Sequence, residues 1–161
     1  MGRRPVAPCQ TQYEWAYLYS ALEVDGDHAA QFLCLPEVNL GMSRLFLEHL
    51  AARDPEAEHG VLWDQAGFHP AAGSPELPAR IHWIALPPYR PELNPVAAIG
   101  DLIKDRIANT LWHTLESLEQ ALEEELRPLD ESAARVRRLV SHPWLVQQVN
   151  AIAAENSAIT N

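Results

Sequence analysis

The chain has 161 residues, 47% hydrophobic and 21% charged, the proportions of one soluble domain able to bury a core without disulfide or metal staples. Twelve basic against 22 acidic residues give a net charge of -10, which excludes a domain that grips nucleic acid through a general positive field. No apolar run reaches membrane-spanning length, the N-terminus MGRRPVAPCQ has no apolar signal core, and Cys9 and Cys34 form no metal-binding pair. A reduced, cytosolic setting with no membrane partner is therefore expected.

The first elements carry β signals. Tyr13, Trp15, Tyr17, Tyr19 and Ala21 recur at a spacing of two, Asp25-Gly26-Asp27 supplies a turn, and Ala29 to Leu35 is again strand-like. A long β-hairpin over Tyr13 to Leu35 is predicted. Asn39 can cap a helix from Leu40 to Arg53 with Leu45, Phe46, Leu50 and Ala51 as its apolar stripe, and Asp54-Pro55 ends it. Val61 to Asp64 and Ile81 to Leu86 are short apolar runs bounded by Gly and Pro, the pattern of central parallel strands buried on both faces. The proline-rich stretch Phe68 to Arg80 between them reads as a loop.

Helical signals fill the second half. Pro87-Pro88-Tyr89-Arg90-Pro91 is a rigid extended connector, since each proline lacks an N–H and restrains its predecessor. Asn94-Pro95 then gives a cap and a first helical residue, and Val96, Ile99, Ile103 and Ile107 continue a helix from Pro95 to about Leu111. Thr114 caps a further helix with Leu115, Leu118, Leu122 and Leu126 inside and glutamates outside, which Pro128 is expected to stop after Arg127. Ser132 to Val140 and Pro143 to Ala154 suggest two shorter helices. With no repeat and no low-complexity linker, residues 1–161 read as one domain.

Chemistry in a parallel α/β sheet gathers where strands end. Asp64 occupies such a place, directly after Val61-Leu62-Trp63. Two readings stand side by side: a turn residue that bonds backbone N–H groups, or a carboxylate that ligates a metal with partners from other elements.

The stretches YEWAYLYSALE (13–23), LWDQAGFHPA (62–71) and IHWIALPPYRPELNPVAAIGDLIKD (81–105) resemble the DDE transposases of mariner-like bacterial insertion sequences. The resemblance runs from about Gly2 to Leu126, and LPPYRPELNPV (86–96) is its most specific piece. It implies a ribonuclease H-like mixed sheet flanked by helices, a bacterial cytoplasmic setting, transposon-end DNA as partner, and Mg²⁺ or Mn²⁺ as cofactor. In such enzymes two metals roughly 4 Å apart, held by three carboxylates, activate the nucleophile and stabilise the leaving oxygen during attack on a phosphodiester. Asp64 takes the place of the second carboxylate.

The other two places are not filled in the same way. The third acid falls two residues after the proline of Asn-Pro, where this chain has Ala97. The first acid would precede Arg3 to Thr11, so the reading is of a catalytic domain truncated at its N-terminus, without its first central strand and inactive. Loss of that strand would leave Tyr13 to Val24 and Val61 to Trp63 without a shared neighbour. Asp101, one turn beyond Ala97, and Glu92 are candidate substitute ligands, each weighed against a plain solvated or helix-positioning acid. His69 could meet a phosphate from the loop after Asp64, or be an ordinary loop histidine. Arg127, Arg135, Arg137 and Arg138 form a basic cluster that either meets a DNA backbone or pairs with the acidic helix Glu116 to Glu125.

Two alternatives belong to other classes. One is a non-catalytic fragment that pairs with itself or with a full-length transposase and regulates it. The other is one half of a split or frameshifted transposase.

Overall fold

The computed structural model describes residues 15–71, 73–86, 94–108, 110–147 and 149–151. Strands β1 (Tyr17–Leu22) and β2 (Ala30–Leu35) pair antiparallel with Tyr17 opposite Leu35 and Leu22 opposite Ala30. This is the predicted hairpin, with residues 13–14 outside the described set. Its connection closes by Glu23 N donating to Ala29 O at 2.8 Å, and Gly26 turns at φ 93°, where a Cβ would lie 2.8 Å from the Glu23 carboxylate. Only glycine takes that conformation and that approach without strain.

Helix α1 (Leu40–Arg53) starts where Asn39 Oδ1 accepts from Met42 N at 2.9 Å, as the sequence predicts. Its buried face is Ser43, Phe46, Leu47 and Leu50; Leu45, expected inside, is 44% exposed. A residue pair at 46 and 47 with 43 and 50 fits one turn-spaced stripe, and Leu45 falls off it.

Strands β3 (His59–Trp63) and β4 (Ile81–Ala85) are parallel, as predicted, with Val61 opposite Trp83. They are not buried on both faces: Val61, Leu62 and Trp63 are all half-buried. The cause is the sheet itself. Among the described residues β1 pairs only with β2, and β3 only with β4.

Helix α2 (Ala97–Ile107) begins later than predicted because its first backbone bonds are i to i+3, and it ends earlier, where Ala108 turns to an extended conformation at φ -67°, ψ 144°. Helix α3 (Leu115–Asp130) is capped by Thr114 and runs through Pro128 instead of stopping before it. The missing N–H there would have served the carbonyl of Glu124, whose exposed residue leaves that carbonyl to water, and Glu131 N to Arg127 O at 2.9 Å keeps the last turn closed. Helix α4 (Ala133–Val140) follows, then helical turns at 143–147 and 149–151.

Two cores flank the strands. On one side Leu22, Ala30, Ile99, Ile103, Leu122 and Val136 pack together, joined by Leu18 and Leu62. On the other, Tyr19, Leu35, Phe46, Leu47, Leu50 and Ile81 pack, joined by Ala21, Val61 and Trp63. The alternation of side chains thus places β1–β2 and β3–β4 in one layer between α1 and the α2–α4 group, an α/β arrangement with helices on both faces.

Candidate functional site

Asp64 lies in the first turn after β3. Its Oδ1 accepts from Ala66 N at 3.1 Å, which closes an Asx turn, and stands 2.8 Å from His69 Nδ1. The same Nδ1 is 3.0 Å from the Asp64 carbonyl oxygen. Both partners can only accept, so Nδ1 carries a proton and donates. The Asp64 side chain is 62% exposed whereas that of His69 is 6% exposed.

Aromatic rings enclose the histidine. Its ring lies against Trp63 with centroids 3.9 Å apart and meets Phe68 edge-on at 4.5 Å. Ser43 of α1, fully buried, donates its hydroxyl to Phe68 O at 2.8 Å and ties the loop to the helix. Gln65 Nε2 donates to Leu86 O at 3.2 Å, and Leu86 N donates to Trp63 O at 2.9 Å. The loop bearing Asp64 is therefore anchored to α1 and to the end of β4.

At the start of α2, Asn94 Oδ1 accepts from Val96 N at 3.1 Å and Asn94 O accepts from Ala97 N at 3.0 Å. Ala98 N to Pro95 O and Ile99 N to Val96 O, at 3.1 and 3.0 Å, continue this tight turn. Asn94 thus keeps the capping bond expected of it, but the turn is of the 3₁₀ kind and the α-helix proper begins at Ala97. Ala97 is exposed.

Trp63, Phe68, His69 and Leu86 share one cleft of about 1110 Å³ with Asn94, Pro95 and Val96. The end of β3 and the start of α2 thus both line this cleft. Asp64 and Ala97 each follow directly on a residue that lines it.

The other candidates are placed apart from this cleft. Asp101 is exposed on α2, one turn past Ala97. Glu92 lies outside the described residues. Arg127 pairs with Glu123 of its own helix at 3.1 Å, and Arg106 of α2 takes Glu124 and Glu125 at 3.6 and 3.8 Å. The acidic face of α3 is thus partly neutralised by Arg127 and by an arginine that the sequence reading did not single out. Arg135, Arg137 and Arg138 are exposed on α4 and form no ion pair among the described residues.

A divalent-metal centre needs several convergent donors. Among the described residues no three His, Cys, Asp or Glu side chains converge to hold a metal ion. His69 presents a proton, not a lone pair, to Asp64. These residues do not fit a two-metal site.

Two supporting residues escaped the sequence reading. Ser43 could have been noticed as a hydroxyl on the apolar stripe of α1, where a buried polar group needs a partner. Gln65 carries no such signal, because its partner is a backbone carbonyl 21 positions away.

A family model described as DDE superfamily endonuclease matches residues 1–119, a span that includes β1 to β4, α2, Asp64 and Ala97. The chain is similar to the uncharacterized protein y4pE/y4sA of Sinorhizobium fredii (strain NBRC 101917 / NGR234), 26% identical over 137 residues that cover 84% of this chain and 93% of that one. No solved structure matches it.

Proposed function

The chain belongs to the DDE superfamily endonucleases, and on that premise we propose that it is a transposase-type catalytic domain whose DNA-cutting site has been vacated. The finer reading places it in the mariner-like group, with a ribonuclease H-like plan and an ancestral reaction of metal-dependent DNA cleavage and strand transfer. The observation that carries the proposal is the first helical residue of α2. A methyl group, Ala97, stands where the resemblance requires a carboxylate, beside the cleft shared with the strand end that carries Asp64.

In-line displacement at a phosphodiester demands oxygen donors from separate elements on one point. Asp64 supplies one carboxylate, and one of its oxygens already serves Ala66 N and His69. Such a group holds Mg²⁺ or Mn²⁺ no better than any exposed aspartate. These 161 residues by themselves do not cleave DNA, and their role is a non-catalytic one within the transposition machinery. Arg135, Arg137 and Arg138, exposed and unpaired among the described residues, are the groups through which the domain would touch a DNA backbone.

The test is a nicking assay on supercoiled plasmid carrying terminal-repeat DNA, with Mg²⁺ and with Mn²⁺. No conversion above that of the Asp64→Ala protein is expected. Nicking by the unaltered chain that Asp64→Ala abolishes would overturn the proposal.

A further inference from the structure

Strand β2 pairs with β1 along one edge and, among the described residues, with nothing along the other. Opposite residues of an antiparallel pair alternate between bonded and unbonded, and Glu23 N donating to Ala29 O at 2.8 Å fixes which are which. Gln31 and Leu33 therefore turn their backbone groups toward β1, whereas Ala30, Phe32 and Cys34 turn theirs outward. Arg53 of α1 agrees with this assignment, since its Nη1 donates to Ala30 O at 3.5 Å. The outward N–H and C=O groups of Phe32 and Cys34 have no bond among the described residues.

These groups face a groove of about 920 Å³ that touches all five residues from Ala30 to Cys34. Successive side chains on a strand point to opposite faces, so only a groove along the strand edge can touch them all. One bank is α1, through His49, Ala52 and Arg53, and the other is α3. Phe32 and Cys34 pack with Leu122 and Leu126 on the α3 side, whereas Leu33 joins the core of α1. An occupant must offer backbone donors and acceptors at every second residue, about 6.8 Å apart, with apolar side chains toward α3. An extended segment does so, and a helix, whose backbone groups are spent internally, does not.

The groove is also acidic. Glu119, Glu123, Asp130 and Glu131 line it against Arg53 and Arg127, and Glu123 already holds Arg127 at 3.1 Å. Glu119 is half-buried and makes no ion pair or hydrogen bond among the described residues. It lies close to Cys34, whose thiol is pushed upward by burial and then by this charge. A half-buried carboxylate without a counter-ion favours an incoming cation. A second copy of this chain would bring the same acidic bank and a further net charge of -10, which repels.

We propose that the outer edge of β2 is a docking site for an extended basic segment of a protein partner. The segment adds a strand beside β2, sets alternate apolar side chains against Leu122 and Leu126, and brings a lysine or arginine to Glu119. The inference goes beyond the nuclease reading and does not depend on it.

The probe is the peptide Lys-Thr-Val-Thr-Val-Thr-Lys, blocked at both ends, which places its lysines and valines on one face. It is added to the full chain while the exchange of single amides is followed by NMR. The amides of Phe32 and Cys34 should exchange freely without peptide and slow by about tenfold or more with it, while those of Gln31 and Leu33 change little. A peptide with glutamate in place of both lysines should give no protection. Glu119→Gln should weaken binding of the lysine peptide several-fold, more so at low salt. Cys34→Pro, which removes only an outward N–H, should abolish binding that Cys34→Ala retains. Equal protection by the glutamate peptide, no saturable protection by the lysine peptide, or unchanged binding in Glu119→Gln would overturn the proposal. So would slow exchange of Phe32 and Cys34 without peptide: independent of concentration, it would assign the edge to this chain's own residues, and rising with concentration, to a second copy.

Discussion

Ser43 shows how one buried hydroxyl can govern a site it never touches. It donates to Phe68 O at 2.8 Å from a fully buried position, so its loss removes the hydrogen-bond donor of the residue that precedes His69. Ser43→Ala should cost about 1–3 kcal/mol in urea unfolding. A change within measurement error would show that the loop does not depend on this bond. Cys34 offers a second residue-scale check. Burial, and then the charge of Glu119, push its thiol above the ordinary cysteine range. The unfolded chain therefore loses this proton at lower pH than the folded one. The favourable contribution is complete below the unfolded thiol pKa and is lost as pH rises through the folded value. Stability of the unaltered protein relative to Cys34→Ala should accordingly fall as pH is raised into the alkaline range; a pH-independent difference would contradict the assignment.

At the scale of elements, local chemistry decided most boundaries and tertiary context decided the rest. The hairpin and α1 were legible because alternation, a glycine turn and an asparagine cap each act within a few residues. Asn39→Ala and Thr114→Ala should each cost about 1 kcal/mol, since each side chain accepts from a helix-start N–H, Asn39 at 2.9 Å and Thr114 at 3.2 Å. Thermal unfolding of the two variants checks this, and loss from neither would mean that solvent replaces the caps without penalty. Pro128 misled the reading because the carbonyl that its missing N–H would have served belongs to Glu124, an exposed residue, where a lost backbone bond is tolerated. The parallel pairing of β3 and β4 was readable from their unbroken apolar runs, but their half-burial was not. Burial depends on which strand lies alongside, and no periodicity reports that.

For the whole molecule, the separation of charge and core explains what the sequence could and could not yield about the site. Asp64 was legible as an acid that ends an apolar strand, and Ala97 as a departure from the motif around Asn94-Pro95. That the two elements border one cleft depends on packing, since Leu62 and Val96 join the same core although they are far apart in sequence. The net charge of -10 and the pairing of Arg106 and Arg127 with the glutamates of α3 leave α4 as the exposed basic face. The central claim is the proposal that position 97 is a vacated ligand position that would act together with Asp64. The first turn of a helix accepts a carboxylate well, by about 0.3–1 kcal/mol through the helix dipole. Ala97→Glu should therefore fold at least as stably as the unaltered chain. Its direct test is calorimetric titration of Mn²⁺ into the unaltered protein, Ala97→Glu and Ala97→Glu/Asp64→Asn. The account predicts no saturable binding to the first, binding at least about tenfold tighter to the second, and loss of that gain in the third. Unchanged affinity in Ala97→Glu, or a gain that survives Asp64→Asn, would contradict it.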